Sequence, residues 1–177
     1  MKKVISIILI FVTFLIIYFL QANFFTWFNI SRVMPNLFVI LVLVVGLFAG
    51  KYMGISVGVI IGLLLDIFVS KKIGVTAITL GIVGFIAALL DKNFSKDSKI
   101  TIILMVTILT LLYEILNYAI NAIIFSYSLE IVDFLIKLAI ETVFNIFITI
   151  ILYPLIQKGG YALEENFKET KILTRYF

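Results

Sequence analysis

The chain contains no cysteine and no histidine, and only 14% of its 177 residues are charged. Without histidine it lacks the commonest general base, the commonest metal ligand and the usual switch near neutral pH. Without cysteine, thiol catalysis is excluded and the redox compartment leaves no mark. No Walker loop, metal-ligand spacing or dinucleotide fingerprint occurs. Gly54, Ser56 and Gly58 have the spacing of a nucleophile elbow, but that elbow requires a strand-to-helix turn and a histidine partner. Ser56 lies instead in a glycine-rich apolar stretch. The composition therefore points away from an enzyme, and it calls for no cofactor and no metal.

Apolar residues fill the place of the missing chemistry. They make up 63% of the chain, and the mean hydropathy is +1.24. Such values define an integral membrane protein, and the length suits a single all-α transmembrane domain over residues 1–177. Uncharged runs bounded by polar turns predict six helices, at about 4–20, 35–49, 54–69, 74–90, 100–124 and 131–157, with a polar tail over 158–177. Lys2 and Lys3 precede the first run, and no small-x-small cleavage site follows it, so that run reads as an uncleaved first span. Phe24, Phe25, Trp27 and Phe28 cluster where the chain should lie in the membrane–water interface. Pro35 suits the first turn of the second helix, Lys51 and Tyr52 a tight turn, and Lys71, Lys72 and Gly74 the next. Ser126, Tyr127 and Ser128 suit a turn before the sixth helix, which Gly159 and Gly160 should stop.

Six helices that start in the cytoplasm put Lys2, Lys3, Lys51, Lys92, Lys96, Lys99, Lys158, Lys168, Lys171 and Arg175 on the cytoplasmic side. Arg32, Lys71 and Lys72 fall outside, and Lys137 lies within the sixth helix. This distribution obeys the positive-inside rule with both termini cytoplasmic, and Lys71–Lys72 is its local violation.

Glycines recur at 46, 50, 54, 58 and 62, and Asp66 takes the next place in the same rhythm. Glycine costs a soluble helix up to about 1 kcal/mol relative to alanine, so its repetition needs a reason. Small residues four apart let helix backbones touch, either within one subunit or against a partner, and the pattern by itself admits both. A carboxylate at membrane depth is expensive and marks a functional position by default. At the helical rise, Asp66 lies about 18 Å from Gly54, Glu114 about 22 Å from Lys99 and Glu141 about 25 Å from Lys158. These three acids are thus expected at similar depth in the outer half of the bilayer. Asp133, Lys137 and Glu141 form an i, i+4, i+8 ladder, and Lys137 could neutralise an intramembrane polar cluster.

Three stretches carry a family likeness. MPNLFVILVLVVGLFAG, then GVIIGLLLDIF, then IGVTAITLGIVGF together resemble the bacterial rod shape-determining MreD family over about residues 34–90. The motif core is Gly58, Gly62 and Asp66, followed by Gly74 and Gly84. Asn36 departs from it, because an acidic residue is expected after the proline. The resemblance implies a non-catalytic subunit of the lateral cell-wall machinery in the cytoplasmic membrane. Its implied partners are MreC, a class B penicillin-binding protein, the RodA glycosyltransferase and MreB filaments. It also implies an architecture similar to the substrate-binding subunits of energy-coupling-factor vitamin transporters. A small-molecule binding subunit of such a transporter is the alternative reading, and monomer and homodimer are equally open.

Overall fold

The computed structural model describes residues 2–70, 73–91, 94, 96–125 and 130–168. Among them are six α-helices and no strand: α1 (Lys2–Phe19), α2 (Leu37–Ala49), α3 (Lys51–Leu65), α4 (Val75–Leu90), α5 (Lys99–Phe125) and α6 (Ile131–Phe167). π-Helical turns extend α1 over Leu20–Phe24 and α3 over Asp66–Ser70. The expected turns at Lys71–Lys72 and Ser126–Ser128 lie outside the described residues, as do Lys92, Lys171 and Arg175.

α2 is the axis of the bundle. Its sequence LFVILVLVVGLFA is apolar on every side, so no face of it prefers solvent, and all 13 of its residues are buried. α3, α4, α5 and α6 pack around it. At 1.5 Å per residue α2 is only about 20 Å long, short of the roughly 30 Å hydrocarbon core. Four helical stretches are long and apolar enough to cross a bilayer: Lys2–Phe24, Lys51–Val69, Lys99–Ile124 and Ile131–Phe167. The molecule is a multi-pass membrane protein in which the shorter α2 is enclosed by its neighbours, while the shorter α4 keeps an exposed apolar face at Ile78, Phe85 and Leu89.

Helix boundaries differ from expectation at three places, each for a local reason. Pro35 precedes α2 rather than opening it. The helix is capped by Asn36, whose side chain accepts the Val39 N–H. The turn between α2 and α3 is Gly50 alone, with φ +90°, a backbone region open to glycine. α3 therefore begins at Lys51, a turn earlier than residue 54, and Lys51 and Tyr52 are helical. α6 runs ten residues past 157 without stopping at Gly159 and Gly160. Gly160 faces Phe48 at the end of α2, where even a Cβ would press on the aromatic ring, so close packing explains the glycine that propensity reads as a stop.

The extended end of α6 is fastened to the start of α1 and the end of α2. Lys2 pairs with Glu165 at 3.1 Å, Asn166 donates to the Ser6 hydroxyl at 2.9 Å, and Lys168 donates to the Leu47 carbonyl at 2.8 Å. Lys2 and Lys168 thus lie at one end of the bundle. Beside them, Lys96 pairs with Asp91 at 2.8 Å and Glu164 at 2.5 Å, and Lys168 reaches Asp91 at 2.6 Å. Burial opposes ionisation of Asp91. The hydrogen bonds from Lys168 and Lys96 outweigh it and hold the carboxyl below its ordinary range. Burial likewise opposes the charge on Lys96, and Asp91 and Glu164 overcome it and raise the ammonium pKa.

Candidate functional site: a polar cavity at the far end of the bundle

The expected stripe of glycines is divided between helices. Gly46 belongs to α2, Gly54, Gly58 and Gly62 to α3, and Gly84 to α4, while Gly50 and Gly74 are left-handed positions before α3 and α4. α4 fills the groove. A Cβ on Gly54 would lie 2.6 Å from the Gly84 carbonyl oxygen, one on Gly46 would lie 2.5 Å from the same atom, and one on Gly62 would lie 2.6 Å from the Thr76 carbonyl oxygen. Gly58 meets the backbone of Leu80 in the same way. These glycines therefore serve contact within the chain.

Asp66 closes the far end of the same pair. It is fully buried, and the N–H groups of Gly74, Thr76 and Ala77 donate to its carboxylate at 2.8, 3.1 and 3.2 Å. A carboxylate at a helix N-terminus satisfies donors that have no partner within the helix and complements the dipole. Asp66 thus acts as the cap of α4, while the expected acidic cluster forms from other members.

That cluster joins α5 to α6. Lys137 lies 2.7 Å from Glu114 and 3.9 Å from Glu141, and the two carboxylate residues are only 4% and 3% exposed. Asp133, a turn before Lys137, is exposed and makes no ion pair among the described residues, so the ladder on α6 contributes two of its three members. Tyr118 of α5 stacks on Phe134 of α6 at 4.2 Å and holds the helices in this register.

Several polar groups here escaped the sequence reading. Asn145, fully buried in α6, accepts the Asn36 N–H at 2.8 Å and donates to the Thr110 hydroxyl at 3.0 Å, so one amide ties α2, α5 and α6 together. Along α5, Asn117 donates to the Tyr113 hydroxyl at 3.1 Å, and Asn121 donates to Asn117 at 2.6 Å. The available signal was amides four residues apart in an otherwise apolar run. Asn36 also explains its departure from the expected acid, because asparagine caps a helix as well as aspartate does.

Of these, Asn36, Tyr113, Asn117 and Asn121 line a cavity of about 750 Å³ at the end of the bundle opposite Lys2 and Lys168. Its floor is the N-terminal end of α2, at Pro35, Asn36 and Phe38, and the short length of α2 is what leaves the space. Glu114, Lys137 and Glu141 form one wall, Gln21 of the π-helical turn another, and Arg32 lies on the loop before α2. That loop is tight: Ser31 and Arg32 have φ of 50° and 64°, and Ile30 and Val33 exchange hydrogen bonds of 3.1 and 2.8 Å across it.

The fold and the site together define a class: an all-helical, multi-pass membrane protein with a glycine-packed core helix pair and a polar cavity among its helices. The family model for the rod shape-determining protein MreD matches residues 1–158, and the chain belongs to that family, which links it to rod-shape determination. Neither curated proteins nor solved structures gave a match.

Proposed function

We propose that the protein is a non-catalytic subunit of the machinery that elongates the lateral wall, lying in the bacterial cytoplasmic membrane with both ends in the cytoplasm. In this reading it holds MreC beside RodA and a class B penicillin-binding protein, and connects them to MreB filaments beneath the membrane. The family match over residues 1–158 carries the proposal. The absence of histidine and cysteine from the sequence accords with a role that needs no catalysis. The basic residues near Lys2, Lys96 and Lys168 accord with a cytoplasmic position for that end of the bundle.

Depletion followed by microscopy tests the reading. Rods should round up, and MreC should co-purify with the tagged protein from intact membranes. Normal rods after depletion would refute it. Accessibility tags at both ends should label from the cytoplasmic side, and labelling from opposite sides would refute the orientation. The cavity favours a second reading, a binding subunit of a small-molecule transporter, for which depletion should abolish uptake of a solute and leave rods intact.

A further inference from the structure

Two buried oxygens in the cavity wall have no hydrogen-bond partner, Oε1 of Glu141 and Oε1 of Gln21. Buried polar atoms are rarely left so without a reason. Their neighbours show why the protein does not serve them. Lys137 is held by Glu114 at 2.7 Å and approaches only the other oxygen of Glu141, at 3.9 Å. Gln21 donates its amide to the Pro35 carbonyl at 2.6 Å, which commits the nitrogen and leaves the oxygen. Gln21 Oε1 accepts, and so does Glu141 Oε1 when its carboxyl is ionised, so what completes both is a donor.

Charge narrows the donor further. Two buried carboxyl groups share one lysine, so both can be ionised together at low cost only if a second cation joins them. Arg32, exposed on the loop before α2, brings a cation to the same cavity. An acidic interior beside an exposed guanidinium suits a ligand whose cationic end enters first and whose anionic part remains near the entrance. The volume of about 750 Å³ admits a small molecule or a lipid headgroup.

From this geometry we infer that the cavity binds a ligand bearing a primary ammonium group, which donates to Glu141 with Gln21 as a second acceptor. The ammonium can belong to a free amine or to an aminophospholipid headgroup. A quaternary ammonium has the same charge and no N–H, so it cannot complete these bonds.

The test uses the purified full chain in phosphatidylcholine nanodiscs, with thermal unfolding as the readout. Ethanolamine is titrated against choline at matched ionic strength, and separate discs carry part of their lipid as phosphatidylethanolamine. Stabilisation by ethanolamine identifies a soluble ligand, stabilisation by phosphatidylethanolamine alone identifies the headgroup, and either supports the inference. Glu141→Gln should raise the half-saturating concentration roughly tenfold, because a charge-assisted bond becomes a neutral one. No response to either primary amine, or an equal response to choline, would overturn the inference, and this comparison needs only the unaltered chain. With no partner protein present, the result is independent of the cell-shape experiment.

Discussion

Asp66 and Lys137 are both charged residues inside a bilayer protein, yet they answer different physical needs. Asp66 serves backbone donors at the start of α4, three of them within 3.2 Å. Asp66→Ala should therefore lower stability by about 2 kcal/mol, whereas Asp66→Asn, which keeps an acceptor oxygen, should lose less. Thermal unfolding of the purified variants checks the order, and equal losses would count against the capping role. Lys137 balances two carboxylates that the protein has taken out of water. Lys137→Glu places three acids together and should cost at least about 3 kcal/mol, seen as lost yield of folded protein. Lys137→Arg should retain assembly, because it keeps the charge. Normal assembly of the glutamate variant would mean that the three side chains do not act as a group.

At the scale of elements, neighbouring glycines have opposite duties. Nothing approaches the position of a Cβ on Gly159, while one on Gly160 would press on the buried ring of Phe48. Gly159→Ala should leave stability unchanged or raise it by up to about 1 kcal/mol. Gly160→Ala should cost about 1–3 kcal/mol, since a close-packed core cannot give way freely. Melting temperatures of the two variants measure this directly. Gly58→Leu is more severe, because the obstacle is the backbone of Leu80 rather than a side chain. It should prevent α3 and α4 from closing and abolish the folded protein in detergent. A folded Gly58→Leu variant would show that the two helices can separate without loss of the bundle.

At the scale of the whole molecule, the ionic knot at Asp91, Lys96, Glu164 and Lys168 ties the α4–α5 connection to the end of α6. Asp91 has a lowered folded-state pKa, so its contribution is complete above the ordinary carboxyl value and is lost as pH falls through the lowered one. Lys96 has a raised pKa, so its contribution is complete below the ordinary lysine value and is lost as pH rises through the raised one. Melting temperature should therefore hold across neutral pH and decline at both extremes. In Asp91→Asn the acid decline should shrink. An unchanged acid limb would place the titrating group elsewhere.

Composition and hydropathy determined that the chain is helical and membrane-embedded with six helices, and the likeness of residues 34–90 pointed to the family that the match over residues 1–158 shows. These properties are legible because hydropathy and small-residue rhythm are local features of the chain. The closing of α4 over the glycines, the selection of α2 among several apolar helices for the centre and the passage of α6 beyond Gly160 depend on what stands opposite each residue, which spacing does not encode. The same holds for the charges. The helical rise predicts Asp66, Glu114 and Glu141 at similar depth, but depth has no azimuth. Only tertiary packing decided the facing: α5 against α6 put Glu114 beside Lys137 and left Asp133 outside, and α3 against α4 turned Asp66 toward the α4 N-terminus, because which way a side chain faces is set by the neighbour that desolvates it.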